Sequence, residues 1–145
     1  ERFKMKPIFE PMPTAERWQV SNAPVLSMAA CLASLDIFDT TTMSDLSQKS
    51  KQLTTFLKET LEFINDALGK KIFNIITPEN RGSQLSIVCN VDQPKSLFQS
   101  FINNGVIADW RDPNVIRLAP VPLYNSFEDI YNLALVLQNI LPNYV

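Results

Sequence analysis

Arg117 is the residue whose setting most suggests chemistry. In the run Val115-Ile116-Arg117-Leu118-Ala119, Ile116 and Leu118 point to one face of a strand, so Arg117 points to the other beside Val115 and Ala119. Small or apolar neighbours leave a guanidinium fork free and reduce its hydration. A planar, permanently charged fork is the natural bidentate partner of a carboxylate or phosphate. On residues alone, the commoner role for such an arginine is an exposed or intramolecular salt bridge. Trp18, Trp110 and Tyr124 could stack on an aromatic ligand, although aromatics in a chain of this size are usually core. Asn22, directly before Ala23-Pro24, offers a donor and an acceptor to a small ligand. Beside a helix start, however, the first role of an asparagine is to cap.

Several chemistries lack their residues. The chain has no histidine, which removes Ser-His-Asp and Cys-His nucleophile systems and imidazole metal sites. Its three glycines, Gly69, Gly82 and Gly105, make no phosphate-cradling loop. Asp36, Asp39, Asp45, Asp109 and Asp112 show no spacing that marks an acid–base pair; surface positions or caps explain them. No lysine stands in an apolar context that would depress its pKa. Cys31 and Cys89 lie far apart in apolar segments, match no zinc spacing and are expected as reduced core thiols, which suits a cytoplasmic protein.

Composition bounds the class. A chain of 145 residues that is 46% hydrophobic can bury a sizeable core. With 13 basic and 15 acidic residues its net charge is -2, and its basic clusters, Lys49-Ser50-Lys51 and Lys70-Lys71, read as solvated helix charges. No nucleic-acid partner is expected. The most apolar stretch, Ala23 to Ala33, is too short to span a bilayer and is interrupted by Ser27, and no basic-then-apolar leader opens the chain. No membrane partner is expected either.

The elements that would position these residues follow from periodicity. Pro7, Pro11 and Pro13 forbid a long helix at the start, while Phe3, Met5, Ile8, Phe9 and Trp18 are too apolar for a free tail, so residues 1–22 are expected as an extended segment docked on something larger. Pro24 suits a helix's first turn, and the helix through about Phe38 is apolar nearly all round, so it is expected to be buried on several sides, which in a chain this small implies a partner surface beyond it. A second helix should start near Met43 with Thr42 and Asp45 as a capping pair; Leu46, Leu53, Leu57, Leu61, Ile64 and Leu68 form its core stripe and Gly69 stops it. Strands are predicted at Ile72 to Ile76 and across the alternating Leu85, Ile87, Cys89 and Val91. A helix follows with Asp92 as cap and Leu97, Phe98, Phe101 and Ile102 on one face. Two further strands, Val106–Ala108 and Val115–Ala119, flank the turn 111–114. Ala119 to Tyr124, with Pro120 and Pro122, reads as a stiff extended connection to a last helix capped by Ser126 and Asp129, with Ile130, Leu133, Ala134, Leu137, Ile140 and Leu141 inward. The order helix, helix, strand, strand, helix, strand, strand, helix implies an α+β sandwich, a short-stranded sheet with helices mainly on one face.

Read together, these segments resemble the kynureninases over essentially the whole chain. Arg2-Phe3-Lys4-Met5, Gln19-Val20-Ser21-Asn22-Ala23-Pro24, Leu35-Asp36-Ile37-Phe38, Asn74-Ile75-Ile76-Thr77-Pro78 and Arg81-Gly82-Ser83-Gln84-Leu85-Ser86 follow in the family's order. The specific match is Asp109-Trp110-Arg111-Asp112-Pro113-Asn114-Val115-Ile116-Arg117, continued to Tyr124-Asn125-Ser126-Phe127. The resemblance implies the C-terminal part of a fold-type-I, pyridoxal 5'-phosphate-dependent enzyme of tryptophan catabolism and NAD biosynthesis. Such an enzyme hydrolyses a carbon–carbon bond of L-kynurenine or 3-hydroxykynurenine, giving L-alanine and anthranilate or 3-hydroxyanthranilate. It implies that Arg117 grips the substrate's α-carboxylate, and that Asn22, with Ser21 beside it, lies near the substrate's aromatic ring. The Schiff-base lysine, the phosphate-binding groups and the cofactor-ring contacts are implied to lie mainly upstream of Glu1, so none is assigned in this stretch; this portion alone should be inactive, and the whole enzyme a cytoplasmic homodimer. Residues 1–22 then belong to or dock on a large cofactor domain, and 23–145 form the small domain with a long linking helix. Ala23, in place of the family's first proline, and Arg17, where a glycine often stands, depart from the pattern. The competing readings are a non-enzymatic small-molecule-binding or regulatory α+β domain, in which Arg117 binds an anion, and the C-terminal part of another fold-type-I enzyme such as a cysteine desulfurase-like one.

Overall fold

The computed structural model describes residues 4–19 and 21–144; Glu1, Arg2, Phe3, Val20 and Val145, some of them named above, lie outside the described residues. The chain divides into two compact units, residues 1–41 and 42–145, so the first helix falls in the first of them.

The first unit carries a 3-10 turn at Ala15–Trp18 and helix α1 at Val25–Phe38. Arg17 ties the turn down by donating to the carbonyls of Thr14 and Pro13 at 3.1 and 3.0 Å. Pro24, with no N–H to lose, is the residue that bounds α1, and it makes no side-chain cap. Among the described residues none of α1 is buried, and Val25, Leu26, Met28, Leu32, Leu35 and Ile37 are exposed; the partner surface expected to cover the helix is not part of the described structure. Cys31 is exposed with them and is not a core thiol.

The second unit starts with helix α2 (Met43–Leu68). The Thr42 hydroxyl accepts the Asp45 N–H at 3.1 Å and donates to its carboxylate at 2.6 Å, which satisfies an orphan donor of the first turn. Leu46, Leu53, Leu57 and Leu61 are buried as their spacing predicts, and Gly69, at φ 61°, takes the left-handed stop that a side chain would resist. Strands β1 (Phe73–Ile75) and β2 (Leu85–Cys89) follow, then α3 (Pro94–Asn103), β3 (Asp109–Arg111), β4 (Val115–Leu118) and α4 (Phe127–Ile140). The α3 cap position is Gln93, one residue past the expected Asp92. At α4 the Asp129 carboxylate accepts the Ser126 N–H at 2.7 Å.

The four strands pair antiparallel in the order β1-β2-β4-β3. Their inward residues, Phe73, Leu85, Ile87, Cys89, Ile116 and Leu118, form one buried cluster with Leu53, Leu57 and Leu61 of α2, Leu97 and Phe101 of α3, and Ile130, Leu133, Leu137 and Ile140 of α4. This is the α+β layer arrangement that the periodicities predict. At the β1 edge, the Asn65 side chain of α2 accepts the Phe73 N–H at 2.9 Å and donates to the Phe73 carbonyl at 2.8 Å.

Two expectations are corrected. Val106–Ala108 is not a strand: the Val106 N–H closes the end of α3 on the Phe101 carbonyl at 3.0 Å, so the chain joins the sheet only at Asp109. The connection after β4 is not extended throughout. It turns at 122–124, where the Asn125 side chain accepts the Val121 N–H at 2.8 Å and the Asn125 N–H returns to the Val121 carbonyl at 2.8 Å.

Candidate functional site

Alternation along β4 decides where Arg117 goes. Ile116 and Leu118 are 1% and 6% exposed against the helices, so Arg117 stands on the opposite face of the sheet with its side chain 28% exposed. Pairing places Ser86 of β2 on one side of it and Asp109 of β3 on the other. The Arg117 Nε donates to Asp109 Oδ2 at 2.6 Å, and Nη2 donates to the same oxygen. Arg111, on the same face of β3, brings its Nη2 to that oxygen at 3.0 Å. One carboxylate oxygen therefore sits between two guanidinium groups, on a half-buried surface where charge-assisted hydrogen bonds are stronger than in open water. The intramolecular salt bridge is thus present, and it uses one side of the fork rather than all of it.

Ser21 and Asn22 lie in the first unit, in the segment that leads to α1, and Arg117 in the second. Trp110 is structural: its ring packs on Phe98 at 5.6 Å between centroids and its Nε1 donates to Asp112 at 2.9 Å. Tyr124 is 74% exposed at the lip of a groove of about 480 Å³ that runs past Gly105, Ile107, Pro120 and Asn132; Arg117 does not line it. Trp18 is 80% exposed in the first unit.

Elsewhere, charge is engaged in holding the fold. The Ser126 N–H, with the Asn125 amide, keeps the Asp129 carboxyl below its ordinary range. Hydrogen bonding and charge from Lys58, then from Arg81, do the same for Glu79. Burial pushes the Cys89 thiol up to about 12, so it is an inert core thiol. Among the described residues no group of histidine, cysteine, aspartate or glutamate side chains could hold a metal, and no single helix is long and apolar enough to cross a membrane.

Sequence reasoning missed Asp109 as the partner of Arg117, having read it as a surface or capping carboxylate. The available signal was the turn at 112–114: a hairpin centred there sets residue 109 opposite residue 117.

The family model described as Kynureninase C-terminal domain matches residues 46–137. The chain is 48% identical over 143 residues to a kynureninase of Flavobacterium johnsoniae, covering 94% of this chain and 32% of the relative. It is 46% identical over 140 residues to one of Christiangramia forsetii, with the same 94% and 32% coverage. Against a kynureninase of Xanthomonas campestris pv. campestris it is 44% identical over 137 residues, covering 91% of this chain and 31% of the relative. The chain thus spans about a third of the length of the curated relatives it matches. It belongs to the kynureninase C-terminal domain family.

Proposed function

We propose that this chain is the substrate-holding C-terminal part of a kynureninase, the hydrolase that converts L-kynurenine or 3-hydroxykynurenine to L-alanine and anthranilate or 3-hydroxyanthranilate. The observation that carries the reading is a half-buried guanidinium, Arg117, fixed on the open face of the sheet inside the segment that matches the family. Its fork suits an α-carboxylate in charge and shape. Ser21 and Asn22 are the proposed neighbours of the substrate's aromatic ring, where a hydroxyl and an amide can donate or accept.

In this reading the cofactor and its lysine belong to a separate large domain of fold type I, and this portion alone is inactive. Its own part is to bind the carboxylate and orient the amino acid. The exposed apolar surface of α1, and the exposed Met5, Ile8, Phe9 and Trp18 before it, are what that large domain would cover, since so much apolar surface is costly to leave in water. A cytoplasmic homodimer is the assembly that goes with the reading.

The test uses the full-length protein. It should release anthranilate and L-alanine from L-kynurenine, and Arg117→Met should lower kcat/KM by on the order of a hundredfold or more, as loss of a desolvated ion pair implies. A variant within a few-fold of wild type overturns the role of Arg117.

A further inference from the structure

The anchor face holds one more group than a bare carboxylate grip requires. A guanidinium has two places where it can hold a carboxylate: the side formed by Nε and one Nη, and the end formed by Nη1 and Nη2. In Arg117 the side is taken. Asp109, directly across the β3–β4 pair, accepts from Nε and Nη2. Among the described residues, Nη1 donates to no protein acceptor, so the end of the fork is open. Arg111 braces Asp109 from two residues along the same strand, at 3.0 Å.

We infer that Asp109 is the positioning residue of the substrate anchor: it grips the Nε side of Arg117 so that the Nη1–Nη2 end faces outward as a ready fork for the ligand's carboxylate, and Arg111 in turn holds Asp109. This inference rests on the reading of Arg117 as the α-carboxylate anchor. Two effects of Asp109 oppose one another. Its charge repels an incoming carboxylate, while its hydrogen bonds remove the rotamer freedom of a long side chain. The Asp109 side chain is 46% exposed, so water and salt screen the repulsion. The orientation is not screened, and the cost of ordering Arg117 is met before the ligand arrives. With two arginines and one aspartate, the cluster keeps a net positive charge toward the ligand.

The experiment is a double-mutant cycle in the full-length, cofactor-loaded protein, with L-kynurenine as substrate. Asp109→Asn keeps the shape and loses the charge. It should raise KM by roughly tenfold with kcat within about threefold, because the carboxylate is held equally in ground and transition states. Asp109→Glu, which keeps the acceptor and charge, should bring KM back to within a few-fold of wild type. In an Arg117→Ala background, Asp109→Asn should change KM by less than about twofold, since it acts only through Arg117. Thermal melts run alongside: a lowered melting temperature with KM unmoved makes Asp109 merely structural and overturns the inference. So do penalties that multiply independently in the double variant. If Arg117→Ala impairs KM and Asp109→Asn does not, the positioning role alone falls. If Arg117→Ala leaves KM unchanged, the carboxylate reading itself falls, and this inference with it.

Discussion

Removing the Asn65 side chain amide should unseat the edge of the sheet, by an amount that its geometry bounds. In β1, the bonds from the Asn90 N–H to the Ile72 carbonyl and from the Ile76 N–H to the Ser86 carbonyl face β2. Phe73, between them, therefore turns its N–H and C=O away from β2. Asn65 meets both, at 2.9 and 2.8 Å, so an amide from α2 completes an edge that has no further strand. Phe73 is 3% exposed, so water cannot readily replace that amide. Asn65→Leu keeps the bulk and strands both groups. At roughly 1–3 kcal/mol for each buried unsatisfied group, the expected loss is about 2–6 kcal/mol. For a unit of this size that corresponds to a fall in Tm of roughly 10–30 °C. Urea unfolding followed by Trp110 fluorescence, in a Trp18→Phe background, measures it. Asn65→Asp supplies a signed control. Its carboxylate keeps the Phe73 N–H but opposes the Phe73 carbonyl, whereas the protonated acid can donate to that carbonyl. The native state thus favours the protonated form and raises the folded pKa, so stability is present at low pH and is lost as pH rises through that value. A loss below about 1 kcal/mol for Asn65→Leu, or no pH dependence for Asn65→Asp, would refute the edge-capping argument.

Two further outcomes follow from the shifted groups. Asp129 is held below its ordinary range chiefly by the Ser126 N–H, so its contribution is present above the unfolded pKa and is lost as pH falls through the depressed folded value; Asp129→Asn should flatten the acid limb of stability against pH in chemical denaturation. Cys89, raised to about 12 by burial, should resist a thiol reagent at pH 8 in the folded chain and react once urea unfolds it. Because the native state disfavours the thiolate, its contribution is constant below the ordinary thiol pKa and falls between about 9 and about 12.

Periodicity carried the element order because both repeats are strong here. The leucine stripe of α2 and the alternation Leu85, Ile87, Cys89 each admit one buried face, and both faces are buried as expected. What failed to be legible was competition for backbone groups. Val106 to Ala108 has strand composition, yet the Val106 N–H is claimed by the end of α3. Pro120 and Pro122 suggest extension, yet a single asparagine, Asn125, folds the connection into a turn. Legibility of the site follows the same division. Arg117 stood out from its own strand, since alternation alone isolates it. Asp109 did not, because its role depends on a hairpin register that joins two strands. The composition of α1 says that the helix seeks cover, and among the described residues none of its side chains is buried.

The late start of β3 matters for more than the placement of Asp109. Had residues 106–108 joined the ladder, the sheet would end in a six-residue edge with Val106, Ile107 and Ala108 along it, an open template for strands of other molecules. Instead the edge strand is three residues long and begins and ends on a charge, Asp109 and Arg111, while Ile107, 95% exposed, stays off the ladder. Charged, short edges discourage edge-to-edge aggregation. Neutralising Asp109 or Arg111 would then weaken colloidal stability along with the ion-pair cluster, so one pair of side chains both closes the edge and holds Arg117's neighbour in place.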